Sequence, residues 1–253
     1  MILNAFNLEG KVTMITGCNT GLGQGMALGL AQAGCDIIGV NRSTASETAE
    51  KVAATGRRFV SITADLSDSR CIDGVMAQAL AAFPRLDILV NNAGIIRRAD
   101  AIDFSETDWD EVMNLNSKTL FFLSQRVARR FIQQGHGGKI INIASMLSYQ
   151  GGIRVPSYTA SKTAVLGLTR LMANEWAAHG INVNAIAPGY MATNNTEQLR
   201  DDEERNQQIL ARIPAGRWGQ GSDMMGPVVF LASSASDYVN GFTLAVDGGW
   251  LAR

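Results

Sequence analysis

Val12-Thr-Met-Ile-Thr16-Gly17-Cys-Asn-Thr-Gly21-Leu-Gly23 runs from a β-branched apolar stretch into a glycine-spaced turn, and Gly23 to Ala33 continues with helical period until Gly34. A strand covered on both faces is apolar at successive positions instead of alternating, so Val12 to Ile15 reads as a strand buried on both sides. The same kind of run recurs at Ile37 to Val40, Phe59 to Ile62, Leu86 to Val90, Ile140 to Ile143, Val183 to Ile186 and Thr243 to Val246. The intervals, roughly 15 to 40 residues, are long enough for crossover helices between parallel strands. Asp108 to Gln134 before Gly135 and Pro156 to His179 before Gly180 supply two further helices, each ending where glycine commonly stops one. The pattern predicts an α/β chain with a doubly wound parallel sheet and helices on both faces.

With 253 residues and no composition shift that would mark a linker, the chain is expected to form one domain, residues 1 to 253. The polar, acidic stretch 193–212, between a Pro188-Gly189 turn and Ile213-Pro214, reads as the least regular part and as a candidate lid. The 22 basic and 23 acidic residues give a net charge of -1 with no long run of one sign, which argues against nucleic acid as a partner. The three cysteines form no C-x-x-C, so neither a disulfide framework nor a metal site is expected. No apolar stretch approaches the roughly 18 residues of a membrane span, and the reading is a soluble cytoplasmic protein without a membrane partner.

Gly17, Gly21 and Gly23 fall where the first strand turns into a helix. A missing Cβ there lets the backbone approach a pyrophosphate while the helix N-terminus faces its charge, with Asn19 and Leu22 inside the same turn. Eighteen residues beyond Gly23, where a carboxylate would bond ribose hydroxyls and repel a 2′-phosphate, the chain has Asn41 and then Arg42. Asn41 can bond a hydroxyl without repelling a phosphate, and Arg42 can pair with one. NAD is therefore expected as the preferred cofactor, with NADP also accepted.

Ser145 is followed thirteen residues later by Tyr158-Thr-Ala-Ser-Lys162, bringing a hydroxyl, a phenol and an ammonium toward one place. A phenol with a pKa about 10 is a poor base at neutral pH, and a lysine four residues on along a helix face favours its ionised form. Asn116 lies between Asn91-Asn92-Ala93-Gly94 and Ser145. In this order the motifs resemble the short-chain dehydrogenase/reductase family over nearly the whole chain. The resemblance implies a single-domain, Rossmann-like NAD(P)-dependent oxidoreductase with Asn116, Ser145, Tyr158 and Lys162 as its catalytic tetrad. It also implies that Asp65 and Leu66 meet the adenine and that Asn92, Ala93 and Gly94 line the adenosine and ribose. Lys162 would hold the nicotinamide ribose, Asn116 a proton-relaying water, and Pro188, Gly189 and Thr193 would pass the nicotinamide. A homotetramer is implied as well, and the apolar tail at Trp250 and Leu251 suits an interface. His136 and His179 sit beside glycines at helix ends and read as caps, which leaves a Ser-His-Asp hydrolase without support.

The tetrad specifies an alcohol or ketone but not which one. Arg97, Arg98 and Arg154 flank the expected pocket, and guanidinium groups clamp carboxylates in bidentate fashion. With Gln150, Tyr149 and Tyr190 as polar neighbours, a small anionic sugar acid fits better than a steroid. The segments Ile143 to Arg154 and Ala187 to Asn195 are similar to the family's sugar-acid dehydrogenases of pectin and hexuronate breakdown, which implies exchange between a keto-deoxy acid and its diketo acid. Gluconate 5-dehydrogenase, a 3-oxoacyl-carrier-protein reductase and a non-catalytic nucleotide sensor remain alternatives.

Overall fold

The computed structural model describes residues 1–253. Seven parallel strands form one sheet in the order β3-β2-β1-β4-β5-β6-β7. They are β1 (Val12–Thr16), β2 (Asp36–Asn41), β3 (Phe59–Thr63), β4 (Ile88–Asn91), β5 (Gly138–Ile143), β6 (Ile181–Pro188) and β7 (Thr243–Val246). All seven expected strands are present, most of them extended by a residue or two at the ends.

The apolar-on-both-alternations pattern has a direct structural counterpart, because neighbouring residues of one strand enter different cores. Met14, Ile38, Leu89 and Ile140 join a core beneath α3 (Ile72–Ala82), α5 (Leu120–Gln134) and α6 (Pro156–Trp176). Ile15, Ile37, Ile88 and Ile141 join the opposite core, beneath α1 (Gly21–Gln32), α2 (Ser46–Ala53) and α9 (Met225–Ala232). Full burial of one such aliphatic side chain contributes about 1.5–3 kcal/mol, so a one-residue slip in any strand would exchange two favourable sets at once.

Two expectations about helices and one about the C-terminal tail need correction. The single helix from Asp108 to Gln134 is three pieces: α4 (Glu106–Met113), one π turn at Asn114–Thr119, and α5. The apolar period runs through all three, which is why sequence alone reads them as one; the extra residue of the π turn re-aims Asn116, a recurrent device at functional sites. The polar stretch 193–212 is helical, with a short 3₁₀ turn at Asn194–Thr196, then α7 (Glu197–Asp201) and α8 (Glu203–Arg212). Asp202 caps α8 by accepting from the Arg205 N–H at 3.0 Å, a signal hidden in an acidic run. The tail expected to suit an interface is covered by its own chain: Trp250 is buried and Leu251 half-buried in a small cluster with Met146, Ile209 and Ile213.

The strand order reverses direction on either side of β1 and β4, and a crevice opens beyond their carboxyl ends, the place where open α/β sheets bind ligands.

Candidate active site

At that crevice the chain leaves β1 through Gly17 and enters α1 at Gly21, both in the left-handed region (φ 66° and 58°). A Cβ on Gly23 would stand 2.1 Å from the Gly17 carbonyl oxygen and 2.6 Å from Asn92 Nδ2. The turn therefore closes only without side chains, leaving backbone N–H groups at a helix N-terminus facing the cleft, and a dinucleotide pyrophosphate fits that cradle. The cleft encloses about 450 Å³ and is lined by Gly17, Asn19, Gly21, Leu22, Gly23, Asn41, Arg42, Asp65, Leu66, Asn92, Ala93 and Gly94. Ser145, Tyr158, Lys162, Pro188, Gly189 and Thr193 line its other end.

Several of these residues have their side chains committed to the protein. Asn92 Nδ2 donates to the Thr16 and Gly17 carbonyls at 2.9 and 2.7 Å, tying β4 to the glycine turn. Thr16 Oγ1 accepts from the Asn92 and Ala93 N–H groups, a role no motif signalled. Asn41 departs from the expectation. It is buried, its Oδ1 accepts from the Cys18 N–H at 2.7 Å, and its Nδ2 faces the Cys18 sulfur at 3.6 Å. A carboxamide at the end of β2 thus steadies the turn from within instead of offering both groups to a ribose. Arg42 is exposed, lies on the cleft and has no carboxylate within salt-bridge distance, while Ser43 accepts from Asn19 Nδ2 at 3.2 Å.

The other end of the cleft, where the sequence placed the candidate catalytic residues, is assembled from β5, α6 and the π turn. Ser145 follows β5 and caps a 3₁₀ turn, its Oγ accepting from the Leu147 N–H at 3.1 Å. Ser148 closes the box: its Oγ accepts from the Ser145 N–H and donates to the Lys162 carbonyl at 2.6 Å, fixing Ser145 against α6. Pro156 opens α6 at a position where its missing N–H costs nothing, and Tyr158 and Lys162 then fall one turn apart. Lys162 Nζ lies 5.8 Å from the Tyr158 ring centre and donates to the Ile143 carbonyl at 2.6 Å. Asn116, almost fully buried, accepts from the Ile95 N–H and donates to the Ile95 carbonyl and Ser161 Oγ, clipping the loop after β4 to α6. Its side chain is therefore occupied structurally.

The electrostatics amend the simple picture of a lysine acidifying a phenol. Burial raises Tyr158 above the ordinary phenol value, and the neighbouring Ser145 hydroxyl and the Arg98 charge oppose that rise. Burial pushes Lys162 down to about 8. At neutral pH Lys162 remains mainly protonated and Tyr158 is a proton donor.

The substrate expectations separate sharply. Arg97 turns outward and pairs with Glu111 at 2.7 Å and Asp108 at 3.4 Å on α4. Arg154 pairs with Asp100 at 3.1 Å on the exposed surface, with a positive φ of 63°. Gln150 accepts from Arg212 at 3.4 Å, and Tyr190 packs edge-on between Trp218 and Trp250. None of these four lines the cleft. Arg98 is the arginine whose charge reaches Tyr158, and its Nη2 holds the Asn195 carbonyl at 2.9 Å. Adjacent Arg97 and Arg98 are indistinguishable by spacing; neither lines the cleft, and of the two only the Arg98 charge acts on the phenol. Sequence reasoning also did not single out Asn194, Asn195 and Thr196, which the turn before α7 brings to the cleft.

A family model described as Enoyl-(Acyl carrier protein) reductase matches residues 17–251. This chain belongs to the short-chain dehydrogenase/reductase family. It is 73% identical over 253 residues to 2-dehydro-3-deoxy-D-gluconate 5-dehydrogenase of Dickeya dadantii, covering 100% of both chains. A solved structure from Agrobacterium tumefaciens with bound NADP is 56% identical, with a TM-score of 0.93 over 99% of this chain and 100% of that one. A gluconate 5-dehydrogenase from Burkholderia cenocepacia, solved with NADP and tartrate, is 39% identical with a TM-score of 0.94 over 100% of both chains. As a member of this family the protein is an NAD(P)-dependent alcohol dehydrogenase with a Rossmann-like fold. No helix of the chain is long and apolar enough to cross a membrane.

Proposed function

We propose that this protein interconverts 2-dehydro-3-deoxy-D-gluconate and its 2,5-diketo acid, exchanging hydride at carbon 5 with NAD(P)(H), in the breakdown of pectin and hexuronates. The observation that carries the reading is the meeting of Ser145, Tyr158 and Lys162 at one end of the glycine-cradled cleft, with the Arg98 charge acting on the phenol. The high identity to a relative of that name supports the choice of substrate.

NAD(P), when bound, accepts or delivers the hydride at its nicotinamide ring and in the oxidised form adds a positive charge near the phenol. The chain's own residues do the rest. Gly17, Gly21 and Gly23 hold the pyrophosphate on backbone N–H groups, and Arg42 pairs with a 2′-phosphate where one is present. In reduction, Tyr158 Oη gives its proton to the carbon 5 carbonyl oxygen as the C–H bond forms, and Ser145 Oγ donates a hydrogen bond to that oxygen. The phenol is then reprotonated from solvent, with Lys162 supplying a nearby positive charge for the transient phenolate. Because burial raises Tyr158, the free enzyme favours proton donation, and oxidation of the alcohol calls for a more alkaline medium than reduction. Arg98, the arginine whose charge acts on Tyr158, is assigned the substrate carboxylate.

The expected preference for NAD rested on Asn41 meeting a ribose. With that side chain turned to Cys18, the argument that remains is Arg42, and use of both cofactors is the reading retained. We further read the protein as a cytoplasmic homotetramer. Exposed apolar side chains on two parts of the chain, Phe122, Ile132 and Leu171 on α5 and α6 and Tyr238 and Phe242 just before β7, are what such an assembly would cover.

The test follows loss of the reduced-nicotinamide absorbance with the 2,5-diketo acid, 5-ketogluconate and an acetoacetyl thioester, each with NADH and NADPH. Turnover of the diketo acid above the other two is the expected result; turnover of 5-ketogluconate alone would replace the substrate assignment while leaving Tyr158 in place. Silence with all three would refute catalysis by this constellation.

A further inference from the structure

Beyond the catalytic groups, the last residues of the chain are built into the lid. α8 ends with the Ala211 and Arg212 carbonyls lacking backbone donors, and the Arg253 guanidinium fills both, Nη2 to Ala211 at 2.8 Å and Nε to Arg212 at 3.1 Å. The contact is reciprocal, since the Arg212 guanidinium lies 3.9 Å over the Trp250 ring and reaches Gln150. Trp250 packs on Tyr190 at 4.7 Å, Tyr190 on Trp218 at 5.4 Å, and Trp218 Nε1 donates to Asn206 of α8 at 2.7 Å. Asp247 stiffens the tail by accepting from the Gly249 and Leu251 N–H groups, both at 2.9 Å.

This cluster is separate from the two large cores, and Met146 in it directly follows Ser145. Both helices of the lid meet the tail's cluster, α8 through the Arg253 clasp and Ile209, α7 through half-buried Leu199, while the turn before α7 lies on the cleft. A shift of α8 would be felt at both ends of the substrate space, at Asn194 and Asn195 on the lid side and at Met146 and Leu147 beside the reactive oxygen.

We propose that Arg253, through its clasp on the carbonyls of Ala211 and Arg212, is a positioning residue that sets the resting place of the lid over the substrate. The inference rests on reading 193–212 as a lid. It needs no direct contact of Arg253 with substrate or cofactor.

The experiment compares Arg253→Ala and Arg253→Lys with the parent protein. The expected result for Arg253→Ala is a KM for the diketo acid about tenfold higher with kcat changed less than about twofold, the coupling of one charge-assisted clasp to binding. Trypsin should cut the cofactor-free variant faster at Arg200 and Arg205, with the rest of the chain as resistant as before. Arg253→Lys, which can still donate to one carbonyl, should recover part of both changes. Unchanged KM together with unchanged cleavage would overturn the proposal. A fall in thermal stability with faster cleavage all along the chain would also overturn it, assigning Arg253 a merely structural role. The proteolysis arm uses no substrate, so a wrong substrate assignment would show as absent turnover with the cleavage difference intact.

Discussion

Replacing Lys162 with Met tests the electrostatics of the site without any assumption about the substrate. Lys162 is 4% exposed and its ammonium is held near pKa 8 by burial, against 10.5 for the free side chain. Between those two values the unfolded chain binds a proton that the folded chain does not, so stability contributed by this group rises with pH across that window. Below pH 8 both states are protonated and the folded state carries the full penalty, about 3 kcal/mol for a shift of roughly 2.5 units. The penalty falls to about 2 kcal/mol at pH 9 and to below about 1 kcal/mol at pH 10. Cys18 and Cys35 act in the opposite sense. Burial pushes them up to about 11 and about 12, so the unfolded chain ionises first and stability falls above pH 9. Urea unfolding of the cofactor-free parent and of Lys162→Met at pH 7, 8, 9 and 10 cancels the cysteine contribution in the difference. Loss of the donor to the Ile143 carbonyl adds a constant cost of about 1–3 kcal/mol to the variant, which shifts the difference but not its slope. The variant should lose about 2–3 kcal/mol relative to the parent on going from pH 7 to pH 10. A difference independent of pH would refute a buried, destabilised ammonium at this position.

Tyr158→Phe should lower kcat at least about a thousandfold while NADPH binding, read by fluorescence, stays within about twofold, because the phenol transfers a proton but holds no phosphate. In Gly23→Ala the new Cβ meets the Gly17 carbonyl at 2.1 Å, and NADPH binding should be lost in a titration while the far-ultraviolet spectrum is kept. Arg98→Gln should raise KM for the anionic sugar acid about ten- to a hundredfold and leave KM for a neutral ketone unchanged. An equal effect on both ketones would remove Arg98 from carboxylate binding. Arg42→Ala should lower kcat/KM with NADPH about tenfold while the value with NADH holds, as expected of a group that pairs only with a 2′-phosphate.

The strands and the cofactor turn could be read from sequence because their causes are local. Met14 and Ile15 must both be apolar when each enters a different core, and the glycine spacing survives because neither the left-handed turns at 17 and 21 nor the close approach at 23 tolerates a side chain. Tyr158 and Lys162 were legible for the same reason, lying one turn apart on one helix. Ser145 was placed with them by motif order, while the Ser148 box that fixes it against α6 became visible only in three dimensions.

What tertiary structure alone decided is which side chains are free to act. Asn41 carries the right chemistry for a ribose but spends it on Cys18, and Asn116 spends its carboxamide on Ile95 and Ser161. Arg97 and Arg154 are taken by Glu111 and Asp100, while Arg98 meets no carboxylate and its charge acts on the phenol. A sequence states which groups a residue can offer. Partners 14, 23 or 45 positions away determine whether those groups reach the cleft, and they meet only after the sheet has brought β1, β2, β4 and α6 to one edge.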